Sequence, residues 1–173
     1  RPMPIEELEH DGIRWLHENP NAVTAPSATQ ASLVVGPSYA APFIFDVRAA
    51  TVRQLRTGSA PNPWEVAWLV WNYTDNEHFY YLALKPNGWE LGKEDPAYPG
   101  AQRFLATGST PAYPVGGWYD VRVTQQGSTI TVWAGGQQLA SYTDSERPYT
   151  SGSIGLYTED ATVRFDDIRV SAL

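Results

Sequence analysis

The chain predicts an all-β fold in which two antiparallel sheets pack as a sandwich. Three observations carry that expectation. Its apolar runs are short and alternate with polar residues, so each segment has one face to bury and one to leave. Its 14 glycines and 14 prolines fall mostly between those runs, where turns need them. No segment sustains a helical period; Ile5–Leu8 is long enough for one turn only. A length of 173 residues fits a single domain with an ample core, residues 1–173. The proline-rich, acidic residues 1–10 are expected as an N-terminal arm.

The strands follow in order. Ile13–His17, Ser32–Val35 and Phe43–Ala49 come first. Trp64–Tyr73 and His78–Lys85 have the strongest strand character, being dense in aromatic and β-branched residues, and the polar Thr74–Glu77 turns one into the other. Pro86-Asn87-Gly88 makes a second turn, into Trp89–Lys93. Gln102–Ala106, Trp118–Thr124 and Thr129–Trp133 come next, and Gly135-Gly136 closes a tight hairpin into Gln138–Tyr142. Ser153–Thr158 and Thr162–Ser171 end the chain, joined around Glu159-Asp160. Short strands with turn signals at this spacing build a sandwich or barrel. The irregular stretches Asn19–Gln30, Thr57–Pro63 and Glu94–Ala101 are long enough to border a ligand site.

Composition removes several functions. The formal net charge is -7 and there is no basic run, so no nucleic-acid partner is expected. The absence of cysteine rules out disulfides, thiol catalysis and cysteine metal sites. No apolar run approaches the roughly 20 residues that cross a bilayer, and no membrane partner is expected. Three scattered histidines without an HExxH pattern argue against zinc. No GxSxG, P-loop or Rossmann glycine pattern is present, and no organic cofactor is expected. A secreted or extracellular monomer is the expectation.

The stretch Trp64–Trp89 (WEVAWLVWNYTDNEHFYYLALKPNGW) is the richest in possible function. It holds Trp64, Trp68, Trp71 and Trp89, four of the seven tryptophans, with Tyr73, Phe79, Tyr80 and Tyr81. Alternation puts Trp64, Val66, Trp68, Val70 and Asn72 on one face, and Glu65, Ala67, Leu69, Trp71 and Tyr73 on the other. On the next strand His78, Tyr80, Leu82 and Leu84 oppose Phe79, Tyr81, Ala83 and Lys85. Burial is the usual fate of any one ring. Rings on both faces suggest one face on the core and one lining a groove, and alternation alone does not say which.

Several polar residues could do chemistry. His78, beside Asp75 and Glu77, is a possible general base, with Tyr80 two residues on. Arg103 or Lys93, with Gln102 adjacent to Arg103, could neutralise a substrate carboxylate as a polysaccharide lyase requires; the blander role for Arg103 is a surface ion pair. Glu65 and Glu90 are the carboxylates expected within the sheet. A retaining glycosidase needs its pair about 5–5.5 Å apart and an inverting one about 6.5–9.5 Å, which spacing in sequence does not reveal. Asp166, Asp167 and Asp46, with the Glu6/Glu7 pair, could supply oxygens to a structural calcium, or an Asp could simply sit at a bulge. Asn72-Tyr73-Thr74 is a glycosylation sequon inside a strand, expected as chance.

The C-terminal half carries a longer pattern. GWYDVRV leads into TITVWAGGQQLASYTD and then SGSIGLYTEDATVRFDDIRV, over roughly residues 117–170, and DNEHFYYLALKPNGWEL precedes it. This resembles the concanavalin A-like jelly rolls, including laminin-G-like modules and the 3-keto-disaccharide hydrolase domain family. The resemblance implies a two-sheet antiparallel jelly-roll sandwich. It leaves function open, because lectins, glycosidases, lyases and binding modules share the scaffold. Family 16 glycosidases on this fold use a Glu-x-Asp-x-x-Glu strand, which this chain lacks, so their mechanism is not implied.

The leading expectation is a lectin-like domain that holds a glycan, or another ring-bearing ligand, in a groove lined by Trp64, Trp68, Trp71, Tyr80, Trp89, Lys93, Gln102 and Arg103. The alternative is a polysaccharide lyase or glycoside hydrolase using His78, Tyr80, Glu90 and Arg103. A third is a non-glycan enzyme or a protein-interaction module.

Overall fold

A computed structural model describes residues 5–10, 13–22 and 27–173, with side chains from residue 16 onward. The described residues form thirteen strands: β1 Ile5–His10, β2 Ile13–Glu18, β3 Ala31–Ala40, β4 Phe43–Gln54, β5 Trp68–Asp75, β6 His78–Lys85, β7 Gly88–Glu94, β8 Gln102–Gly108, β9 Trp118–Gln126, β10 Thr129–Ala134, β11 Gln137–Thr143, β12 Ser151–Glu159 and β13 Ala161–Ala172. A 3₁₀ turn, Pro99–Ala101, is the helical element among the described residues. Two antiparallel sheets result. One has seven strands in the order β1-β2-β13-β4-β9-β10-β11, and the other six in the order β3-β12-β5-β6-β7-β8. The expected jelly-roll sandwich is the observed fold. One expectation changes: Ile5–His10 is a strand paired with β2, not an arm.

The core lies where the inner faces meet. Phe43, Phe45 and Val47 of β4, Val121 and Val123 of β9, Ile130 and Val132 of β10, and Phe165 of β13 come from the seven-stranded sheet. Leu69 and Trp71 of β5, Tyr80 and Leu82 of β6, Trp89 and Leu91 of β7, and Leu156 of β12 come from the other. Every one of these positions alternates with a residue on the outer face, as a period of two demands.

A bulge on β5 resets that alternation. Trp71 pairs with Tyr80, and the next ladder pair is Asp75 with His78. Asn72 absorbs the extra length in a left-handed conformation, φ 50°, which asparagine tolerates better than most residues. Its buried side chain turns inward, and Nδ2 donates to Gln125 Oε1 at 2.8 Å and to the Tyr149 carbonyl at 3.0 Å. Tyr73 therefore lands on the outer face with Trp68 and Val70, opposite to simple alternation. The sequon asparagine is 1% exposed and already bonded, so it offers no glycan acceptor.

The expected strand Trp64–Tyr73 begins only at Trp68. Its first residues are held as a loop by a buried ion network. Arg56 Nε lies 3.1 and 2.9 Å from the two oxygens of Glu65, and the Asn62 amide donates to Glu65 Oε1 at 2.6 Å. Arg56 Nη2 also meets Asp160 Oδ2 at 2.9 Å. Both Glu65 oxygens are thus taken up in fastening a loop.

Candidate functional site

The outer face of the six-stranded sheet carries a groove of about 820 Å³, within the range of small-molecule and sugar sites. Strand register assembles it in rows. Leu33, Tyr157, Trp68, Ala83 and Glu90 lie side by side across β3, β12, β5, β6 and β7. The next row holds Val35, Gly155, Val70, Tyr81, Gly92 and Phe104. A third holds Phe79, Glu94 and Gln102, with Tyr73 brought alongside by the bulge.

Aromatic rings make the floor and rim. Trp68 stacks on Tyr81 with centroids 4.6 Å apart and planes at 22°, and Tyr157 meets Trp68 edge-on at 4.9 Å. The Trp68 indole donates to the Trp64 carbonyl at 2.7 Å, which ties floor to rim. Trp64 and Phe104 are 42% and 59% exposed, so two large rings face solvent at the groove while those between are covered. Gly92 lets the floor lie flat: a Cβ there would overlap the Tyr81 ring.

Three carboxylates join the rings. Glu90 accepts from the Tyr81 hydroxyl at 2.8 Å and pairs with Lys85 at 2.9 Å, while Gln102 Nε2 donates to the same hydroxyl at 2.6 Å. Glu159 accepts from Tyr157. Burial raises the Glu159 carboxyl, against hydrogen bonds from Tyr157 and Trp64 that lower it. Glu94 differs from both, because its carboxylate has no hydrogen-bond or ion-pair partner among the described residues. Burial alone pushes it up to about 7. Burial, with the neighbouring glutamates adding to it, keeps the Tyr81 and Tyr157 hydroxyls protonated.

The expected site residues divide between two faces. Trp64, Trp68, Glu90 and Gln102 line the groove. Trp71, Tyr80, Trp89 and Lys93 do not, because they share strand parity with Leu69, Leu82 and Leu91 and point between the sheets. Tyr80 donates to Asp144 at 2.6 Å and accepts from the Tyr149 amide at 3.0 Å. Lys93 is wholly buried: Nζ meets Asp144 Oδ2 at 2.7 Å and the carbonyls of Glu146 and Arg147, and lies 4.7 Å above the Tyr149 ring. Burial would raise Asp144, but Lys93 and Tyr80 more than offset it and bring the carboxyl below its usual value. Arg103 stacks on Tyr98 at 5.0 Å and lies 3.6 Å from Glu146. His78 bonds Asp75 at 2.7 Å and meets Tyr149 edge-on at 6.0 Å. Its hydrogen bond is the main reason the Asp75 carboxyl is lowered. The expected set His78, Tyr80, Glu90 and Arg103 is thus split by the sheet itself.

The expected calcium residues lie on the other sheet. Asp46 receives two hydrogen bonds from Arg122, at 2.7 and 3.0 Å, so its charge is already answered. Asp166 accepts from the Asp167 amide at 2.8 Å, where Asp167 adopts φ 51° at a bulge. Among the described residues no group of three or more His, Asp or Glu converges as a metal site. The side chains of Glu6 and Glu7 lie outside the described residues.

Sequence reasoning missed Glu94, Phe104, Tyr157 and Glu159 as groove residues. Parity carried a signal for one of them, Glu94. Glu90, Gly92 and Glu94 alternate with Trp89, Leu91 and Lys93, and the apolar set marks the inner face.

Residues 55–171 match the model of the 3-keto-alpha-glucoside-1,2-lyase-like domain, and the chain belongs to that family. Among solved structures it is similar to the carbohydrate-binding module CBM66 from Bacillus subtilis, at 15% identity and TM-score 0.66, over 91% of this chain and 95% of that one. It is also similar to a galectin-like protein of unknown function from Bacillus subtilis, at 12% identity and TM-score 0.69, over 99% and 87%. A candidate glycosyl hydrolase from Parabacteroides distasonis aligns at 15% identity and TM-score 0.59, over 96% and 90%. These likenesses establish the fold. No curated protein sequence matches.

Proposed function

We propose that the chain is a carbohydrate-directed domain that holds a sugar on the outer face of its six-stranded sheet. The observation that carries this reading is the aromatic lining of the groove, Trp68 backed by the buried ring of Tyr81 and flanked by the exposed rings of Trp64 and Phe104. Aromatic faces give apolar contact to sugar rings, and the carboxylates and Gln102 beside them give hydroxyl groups their partners. The kinship with a sugar-lyase family and the fold shared with a carbohydrate-binding module point the same way. Glycan-array binding followed by calorimetry is the test. Binding by the parent, lost at least tenfold in Trp68→Ala, supports the reading; no binding to any glycan defeats it.

A second reading, enzymatic, is favoured by Glu94. A carboxyl that titrates near neutrality can both take and give a proton, and this one is unpartnered on the groove face. On a 3-keto-glucoside, the C3 carbonyl acidifies the proton on C2. A carboxylate removes that proton, the electron pair forms the C1–C2 double bond, and the C1–O bond breaks as the leaving oxygen gains a proton. Glu94 is assigned the proton removal. Product analysis tests this: Glu94→Gln should lower turnover about 10²–10⁴-fold. Unchanged turnover would remove Glu94 from the chemistry.

A further inference from the structure

We infer that the groove selects its sugars by charge, preferring glycans that carry free amino groups over neutral ones and rejecting uronates. This deepens the carbohydrate reading and rests on it. The charged residues that line the groove are Glu90, Glu94 and Glu159, without a lysine or arginine among the lining residues. Glu90 has a paired cation, Lys85, and the Arg56 guanidinium attracts Glu159 without pairing with it. Glu159 is bonded by neutral groups, and Glu94 has no partner among the described residues. Glu94 therefore stands uncompensated, and Glu159 only partly compensated, beside rings whose faces themselves attract cations.

The other large cavity shows that this imbalance belongs to the groove. It lies on the outer face of the seven-stranded sheet, has about the same volume, 810 Å³, and is also charged. There, however, Asp46 is bound by Arg122, and Asp120 lies 3.9 Å from Arg48. Two arginines there stand against three aspartates, Asp167 being the third, whereas the groove lining has three glutamates and no cation. A ligand that covers Glu94 and Glu159 strips water from both. An ammonium group repays that desolvation, a hydroxyl repays part of it, and a carboxylate adds repulsion. The expected lyase arrangement, with Lys93 or Arg103 neutralising a substrate carboxylate, fails for the same reason: Lys93 is sealed between the sheets and Arg103 faces away from the groove.

The experiment compares three probes of equal length by calorimetry: a chito-oligosaccharide with free amines, its N-acetylated form, and an oligouronate. The amino form should bind at least tenfold tighter than the acetylated form, and the oligouronate should not bind measurably. Raising salt from about 0.01 M to about 1 M shortens the screening length from about 30 Å to about 3 Å and should erase most of the preference. The double variant Glu94→Gln, Glu159→Gln should bind the amino and acetylated forms alike. The salt series on the unaltered protein keeps the test valid if that variant misfolds. Equal binding of all three probes, or better binding of the oligouronate, overturns charge selection and leaves the carbohydrate reading standing. If none of the three binds and the glycan array is also blank, the carbohydrate reading falls and takes this inference with it.

Discussion

Lys93 and Glu94 are neighbours in sequence and differ in nearly every physical respect. Lys93 faces inward, is fully buried, and is met by Asp144, two carbonyls and the Tyr149 ring. Glu94 faces outward and is half-buried, and its carboxylate has no hydrogen-bond or ion-pair partner among the described residues. One peptide bond separates a charge that the fold uses from a charge that the fold leaves available. The same division runs along the sheet. Trp71 and Tyr80 fill the interior, while Trp68, three residues before Trp71, lines the groove and Tyr81, one residue after Tyr80, stacks against it on the outer side. The Lys93 ammonium and the Tyr80 hydroxyl on the structural side are fully engaged, whereas the Glu94 carboxylate on the other side retains the bonding capacity that a binding surface needs.

The sharpest way to break this contrast is Lys93→Ala. It leaves Asp144 buried beside a cavity with its main cation gone, so unfolding in urea should show a loss of about 3–5 kcal/mol. A loss below about 1 kcal/mol would mean that the network is not holding the sandwich together. Gly92→Ala comes next. The added methyl must displace the Tyr81 ring, and overpacking of this kind costs about 1–3 kcal/mol; sugar binding should fall with it, because the floor is no longer flat.

The third test uses pH. The Glu94 carboxyl lies at about 7 in the folded chain against 4.5 as its ordinary value. The native state therefore holds its proton more tightly, and stability falls as pH rises from about 4.5 to about 7. Glu94→Gln removes that slope, so its melting temperature should gain on the parent between pH 5 and pH 8. Glu18, fully covered and pushed by burial up to about 9, gives the same sign over a longer range, continuing to about pH 9. Thermal melts of Glu94→Gln and Glu18→Gln across pH 5–9 separate them, and parallel curves for parent and variants would contradict both assignments. The smallest effect on stability is expected for Trp64→Ala. Exposed at the rim, it should alter unfolding by no more than about 0.5 kcal/mol while weakening sugar binding at least tenfold.

The strands were legible because each has its own period and is bounded by turn residues. The site was only half legible, and for a specific reason. Alternation sorts residues into two sets but does not say which set is inside. On β7 the inner set contains a lysine and the outer set a glycine, the reverse of the usual hydropathy guide. Lys93 reads as a surface cation until Asp144, 51 residues away, is placed beside it. Tyr80 and His78 suggested catalysis because they are close in sequence; only the packing shows that the tyrosine hydroxyl is spent on Asp144. Arg103, expected at the ligand with a surface ion pair as the blander alternative, lies 3.6 Å from Glu146.

The left-handed turn at Asn72 has a mechanical consequence. Tyr73 stands at the groove because Asn72 takes up the slack, and Asn72 is hooked to Gln125 of the opposite sheet and to the Tyr149 carbonyl. Gln125 in turn grips the turn after β9 through the Gly127 carbonyl. The groove wall is therefore moored through the full thickness of the sandwich, so a disturbance at the β9–β10 hairpin on the far sheet has a bonded route to a ring that faces the ligand.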